Sequence, residues 1–216
     1  MSHVRVRYRT IEFGDTDIHV RTLRDRQQFS DDEGQAENLG ISSASWPLFG
    51  VIWDSSQILA HLMFEHDIEE KRILEVGCGI ALTSLVLNHR HADITATDHH
   101  PEAEGFLQKN VQLNNGQVIP FTRTDWANKD SDLGEFDLII GSDLLYEQNH
   151  AELLSGFIDL HTKPKCEVIM VDPGRGHHAR FSKLMISLGY SHSQQQPQST
   201  EYLNKPFKGK ILNYSR

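Results

Sequence analysis

The sequence predicts an α/β fold, a doubly wound and largely parallel sheet of seven strands with helices on both faces, preceded by an amino-terminal β-hairpin. Three observations carry this reading. From Arg72 onward, short apolar runs alternate with stretches of helical periodicity. The run Leu74-Glu75-Val76 breaks into a glycine loop, Gly77-Cys78-Gly79, as a strand does before a crossover helix. No apolar run in the 216 residues approaches the roughly 18 that suggest a membrane helix.

Taken in order, the elements begin with Val4 to Arg9, which alternates. Phe13-Gly14-Asp15-Thr16-Asp17 supplies a turn, and Ile18 to Leu23 alternates again, so the arginines form one solvated face. Arg24 to Ser45 is polar and carries the acidic cluster Asp31-Asp32-Glu33. It reads as a mobile loop, either a linker or a lid, which makes residues 1–52 a hairpin and loop ahead of a domain over 53–216. Ser55 to His66 places Ile58, Leu59, Leu62 and Met63 at helical spacing behind a serine cap. Strands are expected near Arg72–Val76, Asp93–Thr97, Val118–Phe121, Phe136–Gly141, Glu167–Val171, Tyr190–Gln194 and Lys208–Tyr214. Helices fall near Leu82–His89, Glu102–Leu113, Ala151–His161 and Ala179–Leu188.

Composition bounds the class. With 38% hydrophobic and 24% charged residues, the chain can bury one sizeable core. Its amino terminus has no signal-peptide core, so a cytoplasmic location is expected, and membrane association is not. Cys78 and Cys166 are the only cysteines and are expected to be reduced thiols. A net charge of −9 argues against broad nucleic-acid binding and suits a basic partner.

The glycine loop carries the first chemistry. Gly77 and Gly79 lack a Cβ, so the chain can turn sharply and lie against a ligand. Asp98, twenty-one residues past Gly77, ends the second strand where a carboxylate can accept from two ribose hydroxyls. Dinucleotide sites usually show G-x-G-x-x-G, but the third position here is Leu82, and no Lys or Arg lies between Ile73 and Asn88. The loop therefore suits a nucleoside without phosphates, with a plain strand-to-helix turn as the alternative.

Two more strand ends converge on this edge. The third runs into Thr124-Asp125-Trp126, where a carboxylate can accept from an exocyclic amine and an indole can lie along a flat ring. The alternatives are a turn cap for Asp125 and core filling for Trp126. The fourth strand runs into Ser142-Asp143-Leu144-Leu145-Tyr146-Glu147, an acid and a phenol at the end of a buried apolar strand. There, Asp143 could merely cap a helix and Tyr146 could merely pack.

These motifs together resemble the class I, seven-β-strand S-adenosylmethionine-dependent methyltransferases, and within them the protein lysine methyltransferase branch with Asp-x-x-Tyr after strand four. The matching pieces also include Trp53 ahead of Ile58-Leu59-Ala60, and Asn110-Val111-Gln112-Leu113-Asn114. The resemblance spans most of residues 4–190 and implies a Rossmann-like sheet with an antiparallel last strand. It implies that Gly77, Cys78 and Gly79 approach the methionine and ribose of the cofactor, with Glu75 beneath them. Asp98 would hold the ribose with His99 at the rim, Asp125 and Trp126 the adenine, and Trp53 the outer wall. Ser142 would border the cofactor, while Asp143 and Tyr146 face the methyl acceptor. Two departures stand out: Ala81 replaces a usual third glycine, where its methyl would crowd the cofactor's methionine portion, and Asp54 replaces a common proline.

Thirteen histidines, including His89 with His91, His99-His100 and His177-His178, complete no metal pattern, and no metal is expected. The loop Asp172-Pro173-Gly174-Arg175-Gly176 is either a glycine-rich turn or a device that lets Arg175 reach the site. Three functions stay open: transfer to a protein lysine, transfer to a small nitrogen-containing acceptor, and non-catalytic cofactor binding or interaction. In the first two, S-adenosylmethionine becomes S-adenosylhomocysteine. The oligomeric state is not legible.

Overall fold

The structure is a computed structural model, described for residues 4–25, 31, 33–129 and 132–216. It opens on a hairpin of β1 (Val6–Phe13) and β2 (Thr16–Leu23), then a short helix α1 (Gln35–Asn38), a single 3-10 turn over Leu48–Gly50 and α2 (Asp54–Glu65). The alternating part follows: β3 (Arg72–Val76), α3 (Leu82–His89), β4 (Asp93–Asp98), α4 (Ala103–Leu113), β5 (Phe121–Arg123), β6 (Phe136–Ser142) and α5 (His150–His161). It closes with β7 (Thr162–Asp172), α6 (His178–Ser187), β8 (Ser191–Gln195) and β9 (Lys210–Ser215).

Among the described residues the main sheet has seven strands in the order β5-β4-β3-β6-β7-β9-β8. Strands β3 to β7 run parallel, and β9 lies antiparallel between β7 and β8. Strand β3 is flanked by β4 on one side and β6 on the other, so the winding reverses there. In open α/β sheets such a switch point leaves a crevice at the carboxyl ends of the strands, and here that end is Gly77. Continuous apolar runs explain the central strands: Ile73, Leu74 and Val76, and Leu138 to Ile140, are fully buried because both sheet faces are covered. One core layer joins the hairpin, α2, α3 and α4, through Phe13, Ile18, Val20, Ile58, Leu85 and Phe106. The other lies under α5 and α6, with Leu154, Phe157, Phe181 and Tyr214. No helix among the described residues is long and apolar enough to cross a membrane.

The hairpin is held by the Asn110-to-Asn114 motif. Asn110, fully buried, accepts the Arg21 N–H through Oδ1 at 2.6 Å and donates from Nδ2 to the Ile80 and Arg21 carbonyls. One turn later, Asn114 accepts the His19 N–H at 2.8 Å and donates to the His19 carbonyl at 2.7 Å. The two amides on one helix face replace a neighbouring strand along the edge of β2. Asn110→Ala should therefore strand a buried backbone N–H and cost about 2 kcal/mol. A lowered urea midpoint with an unchanged slope would show it; an unchanged midpoint would rule the clamp out.

Several sequence boundaries need correction. The strand expected at Val118–Phe121 is Phe121–Arg123, and Val118 is 89% exposed. Pro120 has no N–H for the ladder, so pairing with β4 starts after it, at Ala96 with Phe121. Phe13 and Thr16 belong to the strands, leaving Gly14-Asp15 as a two-residue turn with Gly14 at φ 62°. Strand β1 is exposed on both faces over Arg7–Thr10, because β2 rather than β1 packs on the core; the arginines do not define a single solvated face. Strand β7 begins five residues early, directly after α5. Within Arg24–Ser45, residues 26–30 and 32 lie outside the described residues. The rest contains α1, tied by the Glu37 N–H to Asp31 and by the Trp46 indole to the Ile41 carbonyl.

Candidate active site

The glycine loop is fixed from below and from the side. Its Cys78 N–H donates to the Thr97 carbonyl at 2.9 Å, and its Gly79 N–H to Asp98 Oδ2 at 2.8 Å. The other Asp98 oxygen accepts the His100 N–H at 2.8 Å. Burial raises the Asp98 carboxyl, and these N–H bonds oppose that rise. Gly77 and Gly79 adopt φ of 61° and 56°, where a side chain would be strained. A Cβ on Gly77 would sit 2.4 Å from Leu144 Cδ2, and one on Gly79 2.8 Å from the Phe49 carbonyl. The loop is thus packed between the 3-10 turn and the Asp143-to-Tyr146 segment.

Glu75 has a role its position alone did not reveal. Helix α3 has Ala81 at its N-cap position, with φ 63° and no side chain able to cap. Glu75, buried in β3, reaches the same helix end: its Oε2 accepts the Ser84 N–H at 2.9 Å and the Ser84 hydroxyl. A carboxylate from the strand below does the work of a missing N-cap. Burial nevertheless pushes its ionisation up to about 7. The Cys78 thiol is held well above its ordinary range by burial and by the Asp98 and Glu75 carboxylates, so it stays a neutral thiol.

The other side of the glycine loop is built on the carboxyl ends of β6 and β7. Ser142 ends β6 in register with Val171. Asp143 turns out at φ 56°, its N–H still bonded to the Val171 carbonyl at 2.9 Å. Tyr146 is 41% exposed; burial of its phenol, with the Asp98, Glu147 and Asp143 carboxylates, pushes its ionisation up to about 12, so it remains a donor near neutral pH. His150, which sequence reasoning missed, organises this edge. Its Nδ1 lies 2.7 Å from the Leu144 carbonyl, which can only accept, so that nitrogen carries the proton. The ring meets Tyr146 edge-on at 4.5 Å and Trp126 at 5.2 Å, forming an aromatic row. The available signal was its spacing, four residues past Tyr146 at the start of a helix.

The remaining residues fall around this row. Trp53 precedes α2, where Ser56 Oγ bonds both its carbonyl and its N–H, and the indole N–H donates to Leu48 at 3.0 Å. Asp125 is exposed and accepts the Ala127 N–H at 2.9 Å, which is a turn cap beside Trp126. His99 Nε2 donates to the Leu39 carbonyl at 3.2 Å, so it is turned toward the C-terminal end of α1. Both cysteines are free and buried. Among the described residues no three His, Cys, Asp or Glu side chains are grouped to hold a metal ion. A cavity of about 570 Å³ lies at the opposite, amino end of the sheet between Lys71, Arg90, Asp137 and Lys163, away from these residues.

Sheet order, switch point and an antiparallel strand inserted near the edge define the class I, seven-strand methyltransferase fold. A solved example is magnesium protoporphyrin IX methyltransferase from Synechocystis PCC 6803 with bound SAM, at TM-score 0.57 and 20% identity, covering 75% of this chain and 77% of that one. The chain belongs to the family described as lysine methyltransferase, which matches residues 40–187. It is 33% identical over 116 residues to the protein N-lysine methyltransferase METTL21A of Danio rerio, covering 48% of this chain and 52% of that protein. It is 26% identical over 190 residues to the electron transfer flavoprotein beta subunit lysine methyltransferase of Rattus norvegicus, covering 86% of this chain and 68% of that one. The chain spans about half the length or less of the first curated relatives it matches.

Proposed function

We propose that this protein is an S-adenosylmethionine-dependent methyltransferase that N-methylates a lysine side chain of a protein partner. The observation that carries this reading is that Leu144, between Asp143 and Tyr146, packs on Gly77, which sets the acid and the phenol directly beside the glycine loop. The donor set fits the cofactor: two glycines in left-handed geometry, a buried carboxylate at the end of β4, and no cation in the loop for phosphates. Gly77, Cys78 and Gly79, with Glu75 beneath, Asp98 and His99, Asp125 with Trp126, and Trp53 and Ser142 would hold it. When bound, it supplies an electrophilic methyl group on a sulfonium.

The chain's own residues then have a positioning task. A free lysine amine is about one part in 2,500 at pH 7, so the site must favour the neutral form. Asp143 offers a hydrogen-bond acceptor to the amine, and the protonated Tyr146 phenol orients it from the other side. The apolar cluster of Leu144 and Leu145, with Trp126 packed against it, disfavours a second cation nearby. The segment over residues 33–49 fits a cover for the cofactor edge, since it reaches His99 through Leu39 and Gly79 through Phe49.

The test is incubation with methyl-labelled cofactor and a cytoplasmic extract, followed by separation by size. Label is expected in a discrete protein band, as methyl-lysine after hydrolysis. Label confined to the small-molecule fraction would replace the protein acceptor with a small amine, and no label in either would remove the activity.

A further inference from the structure

Arg175 occupies the acceptor side of the site. Its Nε donates to Asp143 Oδ1 at 2.6 Å and its Nη2 to Oδ2 at 2.9 Å, so both carboxylate oxygens are taken by one guanidinium. The same guanidinium carbon lies 5.9 Å from the centre of the Trp53 ring. The carboxylate is nearly enclosed, at 8% exposure, while the arginine is 43% exposed. Its flanking residues, Gly174 and Gly176, both have φ 96°, and nothing lies within 4 Å of where either would carry a Cβ. The loop is rooted at the end of β7 by the Gly174 N–H on Asp172 Oδ1 at 2.8 Å.

A carboxylate with an aromatic face beside it is a cation subsite. Each oxygen keeps acceptor capacity beside the guanidinium, but the carboxylate is only 8% exposed, so an alkylammonium reaches it in the place the guanidinium now holds. We infer that Arg175 is a displaceable occupant of the acceptor's cation subsite, formed by Asp143 and Trp53 beside Tyr146, and that an incoming primary or methylated alkylammonium replaces it. The inference rests on the transferase reading for calling that cation the methyl acceptor. The exchange swaps one cation for another, so the enclosed carboxylate is never left unpaired. Its cost is small on the arginine's side, because the guanidinium is already partly hydrated and two glycines let the backbone swing without strain. It also sets a threshold. A free alkylammonium makes the exchange at high concentration, whereas a lysine on a protein brings further contacts that complete it at low concentration.

The test uses the whole chain without cofactor, labelled with 15N, and n-butylammonium as the probe for a lysine side chain. The Nε–H resonance of Arg175, assigned by its loss in Arg175→Gln, should move toward that of a solvent-exposed arginine as the probe is added. Arg175→Gln should bind the probe roughly tenfold more tightly than the unaltered protein, and Asp143→Asn should not bind it. Probe binding with the Arg175 resonance unmoved, affinity unchanged in Arg175→Gln, or no binding by either protein would overturn the proposal. No methyl transfer is read in this titration, so it separates from the transferase reading. With labelled cofactor and the acceptor recovered from extract, Arg175→Gln should lower KM and keep kcat. Displacement seen without any transfer would overturn the transferase reading and leave the cation subsite standing.

Discussion

Asp143→Asn should lower methyl transfer by about two orders of magnitude while leaving cofactor affinity unchanged. The substitution is chosen for its backbone. Asp143 sits at φ 56°, in the left-handed region that asparagine tolerates better than other side chains, so the turn after β6 is kept. What changes is one charge, and with it, on the proposed function, the ability to hold an amine in line with the departing sulfur. The Arg175 pair is lost as well, but its guanidinium is 43% exposed and returns to water, so the stability change should stay below about 1 kcal/mol. Tyr146→Phe removes a hydroxyl that stays protonated near neutral pH and should cost about tenfold. Turnover on the extract-derived acceptor and calorimetry with the cofactor check both. Full turnover in both variants, at unchanged cofactor affinity, would show that this edge does not orient the acceptor.

Legibility followed locality. The central strands could be read because residues buried on both faces leave largely apolar runs, as at Ile73, Leu74 and Val76 and at Leu138–Ile140, and the glycine loop because positive φ selects glycine. Strand β5 was misplaced where two local signals conflict: Val118 and Ile119 have strand-like side chains, and Pro120 removes the donor the ladder needs. The pairings that escaped are those defined by topology. Arg175 meets Asp143 across 32 residues, and Asn110 meets Arg21 across 89, because β6 and β7 end together and α4 lies along the hairpin. No periodicity encodes such pairs. His150 lies close in sequence to Tyr146, but its role depends on the Leu144 carbonyl and the Trp126 ring, which meet only in the folded edge. Asp125 shows the converse: the carboxylate stands where the motif puts it, yet among the described residues it accepts the Ala127 N–H as a turn cap.

Glu75 should make the protein's stability depend on pH with a sign opposite to that of an ordinary ion-paired carboxylate. Its ionisation moves from a usual 4.5 to about 7 in the folded chain, chiefly through burial, with the Ser84 bonds opposing. A carboxyl raised on folding favours the folded state most when protonated. Its contribution is complete below pH 4.5 and is lost as pH rises through 7. Glu75→Gln keeps an oxygen to accept the Ser84 N–H and hydroxyl but cannot ionise. Relative to the unaltered protein, it should gain about 2.5 kcal/mol between about pH 5 and about pH 8.5. Glu75→Ala differs in kind, because it leaves the first turn of α3 uncapped and the Ser84 N–H buried without its acceptor. That variant should lose about 3 kcal/mol even at about pH 5, where the native carboxyl is protonated. Because α3 begins at the end of the glycine loop, the same loss should weaken cofactor binding, whereas Glu75→Gln should preserve it. Urea midpoints of the three proteins at the two pH values decide the matter. A Gln variant whose advantage does not change with pH would mean that the buried carboxyl titrates alike in the folded and unfolded chain, and that Ser84 and the helix end stabilise its charged form as fully as water does.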